Sequence, residues 1–130
     1  MKRGRYILAL ALLVALLSAQ VAEAGAGYEA RARRPSFDHS SLSLVGAGSY
    51  TSETVKAELR VTVCLTKKFG RRTFTVSCES SSGRGRRVKA QVSVPGCVRG
   101  AWRTTTSGEA LNRKGEVVDQ SSAVSRKFSC

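Results

Sequence analysis

Val55-Lys56-Ala57-Glu58-Leu59-Arg60-Val61-Thr62-Val63-Cys64-Leu65 is the stretch that decides the fold. Val55, Ala57, Leu59, Val61, Val63 and Leu65 take every second position, with Lys56, Glu58, Arg60 and Thr62 between them. Successive side chains of a strand point to opposite faces, so this period of two predicts a half-buried β-strand. The residues have fair helix propensity, but an amphipathic helix needs its apolar positions three and four apart. Downstream, residues 73–78 place Phe74, Val76 and Cys78 at alternate positions. Residues 80–86 have the composition of a turn. Val88, Ala90, Val92 and Val94 then alternate with Lys89, Gln91 and Ser93 until Pro95-Gly96 stops the run. Trp102, Thr104 and Thr106 open a further strand, with Gly108 as a candidate bulge. Asn112-Arg113-Lys114-Gly115 suits a hairpin turn, with Gly at the position that accepts positive φ. Val117, Val118 and residues 124–130 complete the chain. Short strands separated by turns predict an all-β, antiparallel two-sheet sandwich, immunoglobulin-like, with five to seven strands over residues 53–130.

Upstream the signals change. Lys2, Arg3 and Arg5 precede an apolar run over residues 7–17, and Ala22-Glu23-Ala24 offers a small-x-small cleavage site. That three-part order predicts a secretory signal peptide over residues 1–24, its apolar run too short to span a bilayer. Residues 25–52 are rich in Gly, Ala, Ser and Arg, with Pro35 and no sustained apolar period, and read as a flexible basic leader. Leu42, Leu44 and Val45 are the only hint of a strand there. Arg31, Arg33 and Arg34 in this leader suit either a tail attracted to an anionic surface or a plain spacer.

Export bears on the cysteines. Cys64, Cys78, Cys97 and Cys130 are even in number, and in an oxidising compartment they read as two disulfides. Their spacings of 14, 19 and 33 lack the close pairs of a zinc site. Of three possible pairings, the sequential one joins Cys64 to Cys78 and Cys97 to Cys130. Loop-closure entropy assigns these roughly 3 and 4 kcal/mol. A two-residue turn at Gly70-Arg71 sets Cys64 opposite Ser77, and the two cysteines then point to opposite faces. A bulge or a longer loop brings them opposite each other, and the sequence leaves both registers open.

Composition narrows the function classes. Beyond the signal peptide the chain has one histidine, His39, and scattered acids, so catalytic, metal and cofactor-binding residues are all expected to be absent. Gly83-Arg84-Gly85-Arg86 lacks the Lys-Ser/Thr of a phosphate loop. Asp38-His39-Ser40 holds triad-type residues, but neighbours on one segment rarely reach triad geometry.

The charge is the most suggestive feature: 22 Lys and Arg against 9 Asp and Glu, a formal net of +13. Lys67, Lys68, Arg71 and Arg72 bracket one turn, Arg84, Arg86, Arg87 and Lys89 surround another, and Arg113 and Lys114 tip a third. The first two clusters are the candidate anion-binding residues. Their partners would be an anionic envelope or extracellular polymer: teichoic acid, acidic polysaccharide, anionic membrane surface or released nucleic acid. Basic turns also keep a secreted β-protein soluble and shield strand edges, and turns of successive hairpins fall at alternate ends of a sheet. Phe74 and Trp102 are expected in the core, and Phe69, at a turn, exposed.

The C-terminal half suggests a resemblance. Cys97, Gly100-Ala101-Trp102-Arg103-Thr104, the hairpin with Asn112 and Gly115, and Ser129-Cys130 resemble small secreted two-disulfide β-proteins of high-GC Gram-positive, actinobacterial-type bacteria, over residues 60–130. That group carries a Cys, a following aromatic-Arg-Thr strand and a final Cys, and has no assigned activity to transfer. The expectation is a secreted, non-enzymatic binding protein with no small-molecule substrate. Rival readings are a secreted antagonist, either a cationic antibacterial protein or a protease inhibitor read at a basic residue of 67–72 or 84–87, and a structural protein that self-associates through strand edges.

Overall fold

The structure, a computed structural model, describes residues 27–54 and 58–130. The expected signal peptide and the first three residues of the alternating run, 55–57, lie outside the described residues. Nine strands follow in order: β1 (Tyr28–Ala32), β2 (Ser36–Asp38), β3 (Ser43–Ser52), β4 (Glu58–Phe69), β5 (Arg72–Arg84), β6 (Arg87–Pro95), β7 (Ala101–Leu111), β8 (Val117–Val124) and β9 (Phe128–Ser129). They make two antiparallel sheets, and among the described residues there is no helix. In the small sheet β3 is central, with β1 and β2 along one edge and β6 along the other. The large sheet runs β5-β4-β7-β8, with β9 against the start of β7. The two-sheet sandwich is as the alternation predicts.

Of the segment 25–52 read as a leader, the described part is folded. From Tyr28 to Ser52 it forms β1, β2 and β3, three of the four strands of the small sheet, which raises the strand number above seven. Their low hydrophobicity has a steric cause. Inward positions of β3 alternate Leu44, Gly46, Gly48 and Tyr50, and a Cβ on Gly46 would stand 2.8 Å from Leu65 Cδ2. At Gly48 it would meet the Thr106 hydroxyl and Val63. The sheets approach so closely here that the facing strand supplies the bulk and β3 supplies backbone. The leader-like composition is the imprint of that contact.

The core between the sheets is built from the predicted alternation. Leu59, Val61, Val63 and Leu65 of β4 are fully buried against Leu44, Tyr50, Val88 and Val92, with Trp102 and Ala110 from β7. Each such side chain contributes roughly 1.5–3 kcal/mol of burial. Gly108 is no bulge. The Tyr50 ring lies directly on it, and the irregularity falls between Ala110 and Leu111 instead. The Tyr50 hydroxyl donates to Asp119 Oδ2 across the sandwich, and Ser121 Oγ donates to the same oxygen at 2.9 Å. Burial, with Asp119 as hydrogen-bond acceptor, pushes the Tyr50 hydroxyl well above its ordinary value of 10.0.

Both sequential disulfides are present, Cys64–Cys78 and Cys97–Cys130. The register question is resolved by a bulge. Phe69 pairs with Arg72 across Gly70-Arg71, Gly70 taking φ +63° as the first residue of the turn. Between Thr66↔Thr75 and Leu65↔Ser77 one extra residue, Val76, is inserted on β5. Cys64 then faces Cys78 directly, with Cα atoms 4.1 Å apart. The bulge also puts Phe74 and Cys78 on opposite faces, against the expected shared one. Residues 80–84, read as turn, continue β5 to Arg84. Cys64–Cys78 staples two neighbours of the large sheet, whereas Cys97–Cys130 ties the chain leaving β6 of the small sheet to the chain leaving β9 of the large one.

Candidate anion-binding face

Strand alternation sorts charge as strictly as it sorts apolar residues. On β1, Tyr28, Ala30 and Ala32 turn toward the core, so Glu29 and Arg31 turn outward, and Arg33 follows in the same sense, its N–H bonded to Ala47 O at 2.8 Å. On β6, Val88 and Val92 are inside and Arg87, Lys89 and Gln91 are outside. Pairing aligns these side chains in transverse rows: Arg31 beside Ser49 beside Lys89, Glu29 beside Thr51 beside Arg87, and Arg33 beside Ala47 beside Gln91. Between these walls central β3 contributes Ala47, Ser49 and Thr51 to the outer face. The result is a trough of about 610 Å³ whose floor is Ala47 and Ser49 and whose walls carry Arg31, Arg33, Arg87 and Lys89. Two strand spacings separate the walls, about 10 Å.

The walls have little compensation. Arg31 Nε pairs with Glu29 at 3.1 Å, an exposed contact that favours its charged form further. Arg33, Arg87 and Lys89 form no ion pair among the described residues. The arrangement can hold an extended anionic chain along the strands, with cations on either side.

The predicted clusters are only partly brought together. Lys67, Lys68, Arg71 and Arg72 lie at the β4–β5 hairpin, and Arg84 closes β5 at its other end, about 40 Å away by strand rise. The second cluster is itself divided: Arg84 stays on the large sheet opposite Glu58, Arg86 lies in the link to β6, and Arg87 and Lys89 enter the trough. Arg31 and Arg33, which the sequence offers only as a flexible tail or a plain spacer, are the members that the charge clusters left out. Their signal was present in Tyr28-Glu29-Ala30-Arg31-Ala32-Arg33, which alternates by two, but Ala is too small an inward residue to announce a strand. Arg113 and Lys114 tip the β7–β8 hairpin, closed by Gly115 N–H to Asn112 O at 3.0 Å.

The outer face of the large sheet is different in kind. Across it run the rows Ser80-Thr62-Ser107-Ser122 and Ser82-Arg60-Glu109-Gln120, lining a shallow cleft of about 890 Å³. Its central cation, Arg60, lies 3.8 Å from both Glu58 and Glu109. His39 is exposed beyond β2, edge-on to Phe37 at 5.0 Å. Asp38 accepts from Ser40 N–H and Oγ, which hold its carboxyl below the usual range. Among the described residues no three His, Cys, Asp or Glu side chains converge as metal ligands. No protein-family model and no curated protein matches the chain.

Proposed function

We propose that this is a small secreted, non-enzymatic binding protein that adheres to an anionic envelope or extracellular polymer through the trough on the small sheet. The observation that carries the reading is the set of Arg33, Arg87 and Lys89 without counter-ions around a floor of Ala47 and Ser49. Export rests on the charged-apolar-small order of residues 1–24, and two disulfides are consistent with an extracellular protein. No aromatic side chain lines the trough, so it offers bases nothing to stack on and suits a polyol phosphate or acidic polysaccharide better than a single-stranded nucleic acid. The protease-inhibitor reading draws less support, because residues 67–72 are a tight hairpin whose backbone is engaged in the ladder rather than held out for a protease cleft.

The test is titration of the oxidised protein with a teichoic acid, an acidic polysaccharide and a neutral glycan, at low and physiological salt. The variant Arg33→Gln/Arg87→Gln/Lys89→Gln should weaken polyanion binding by about tenfold or more and flatten its salt dependence. Unchanged affinity in that variant sinks the reading.

A further inference from the structure

The β4–β5 hairpin carries a second, separate feature that the trough does not use. Phe69 is 72% exposed, Phe74 49% and Val76 47%, although alternation alone places Phe74 in the core. The exposure comes from the edge position of β5, not from the face that Phe74 takes. Phe69 pairs with Arg72 and Lys67 with Phe74, so Lys67, Phe69, Arg72 and Phe74 share one face, and the two rings are diagonal neighbours there. The same face of β4 and β7 buries Leu65 and Trp102 further in, but β5 is exposed along nearly its whole length, and its first five residues are uncovered on both faces. The hairpin therefore projects an aromatic pair beyond the sandwich.

What surrounds that pair is uniformly basic. From Cys64 to Cys78 the chain has Lys67, Lys68, Arg71 and Arg72 and no Asp or Glu. Ala101 pairs with Lys68 and Trp102 with Lys67, so the β6–β7 loop ends beside the hairpin. It brings Arg99 and the exposed Val98, whose carbonyl accepts from Trp102 Nε1 at 2.8 Å. Lys67 folds back with its Nζ 5.8 Å from the centre of the Trp102 ring, leaving Phe69 and Gly70-Arg71 as the outermost part of the hairpin. Apolar tips ringed by cations on a projecting, rigid loop suit an interface where rings enter the acyl boundary and Lys and Arg stems reach to headgroups. A second copy of the chain is disfavoured, since it would bring the same cations together.

We propose that the β4–β5 hairpin tip, with Phe69 and Phe74 inserting and Lys68, Arg71 and Arg72 contacting headgroups, docks the protein on an anionic lipid bilayer. This goes beyond the trough's polymer binding and stands on different residues. The Cys64–Cys78 bond closes the hairpin at its base, so the tip is presented without loss of chain order.

The experiment is partition of the purified oxidised protein onto vesicles of phosphatidylcholine, with and without phosphatidylglycerol, at physiological salt. Wild type should bind only the anionic vesicles, and Phe69→Ser/Phe74→Ser should lose about tenfold or more in partition. Both positions are exposed, and an unchanged near-ultraviolet signal from buried Trp102 checks the fold. In Phe69→Trp, emission should shift to the blue on adding anionic vesicles. Equal partition of Phe69→Ser/Phe74→Ser and wild type, or no shift in Phe69→Trp, overturns the proposal. So does vesicle binding lost in the trough variant but kept in the hairpin variant. The same hairpin variant titrated with polymer should retain full affinity, so failure here and failure of the trough reading are distinguishable.

Discussion

The two outer faces of the sandwich are made by the same device and end in opposite chemistry. Each presents every second residue of paired strands. On the large sheet Arg60 sits between Glu58 and Glu109, and the remainder is hydroxyl and amide. On the small sheet four cations flank a floor of small residues, with Glu29 the one carboxylate engaged, by Arg31. Net charge is thus a poor description of this protein. What counts is which cations the register leaves without an acid at ion-pair distance.

The comparison can be broken most severely by releasing one sheet from the other. Cys97–Cys130 links them, whereas Cys64–Cys78 lies within the large sheet. Replacing Cys97 and Cys130 by Ser should cost about 4 kcal/mol, against about 3 kcal/mol for the shorter Cys64–Cys78 loop. Denaturant unfolding of the two variants checks the order.

The next largest effect concerns the polar tie between the sheets. Tyr50→Phe removes the donor to buried Asp119 and should cost about 2 kcal/mol. It should also change the alkaline limb of stability. The folded protein holds the Tyr50 hydroxyl above its ordinary value of 10.0, so above that pH the unfolded chain gives up a proton that the folded one keeps. Stability then falls as pH rises through and beyond 10, and the Phe variant should lack that share of the slope. Equal alkaline slopes in both proteins would argue against the tie.

The smallest effect sharpens the contrast of the faces themselves. Arg60→Gln should change stability by less than about 0.5 kcal/mol, as expected for an exposed pair, and leave polyanion affinity within about twofold. A loss equal to that of the trough variant would mean that total charge, not placement, governs binding.

Legibility followed burial. β4, β6 and β7 are readable because each puts Val, Leu or Trp inside and polar residues outside, and Asn112 to Gly115 declares its turn by residue type. β1 and β3 are hidden because small residues, Ala30, Ala32, Gly46 and Gly48, fill their inward positions, the two glycines where the facing strands leave no room for a Cβ. The second half of β5 is hidden for the opposite reason: exposed but for the half-buried Ser81, Ser80 to Arg84 have no apolar duty. The trough needed the pairing of β1, β3 and β6, which brings together residues that lie far apart in the chain, as Arg31 and Lys89 do. Adjacent charges such as Lys67 and Lys68 are visible in a linear reading, whereas Arg31 and Lys89 become neighbours only through Ser49.

The two disulfides also decide how the protein survives being cut. Trypsin-like enzymes cleave after Lys and Arg, and the basic hairpin at 67–72 lies between Cys64 and Cys78, just as Arg113 and Lys114 lie between Cys97 and Cys130. A nick at either tip leaves both fragments covalently joined, through Cys64–Cys78 in the first case and Cys97–Cys130 in the second. The link at Arg84, Arg86 and Arg87 falls between the two closed loops, and a single cut there divides the chain into halves with no covalent bond between them, held by packing and by the β3–β6 and β4–β7 ladders.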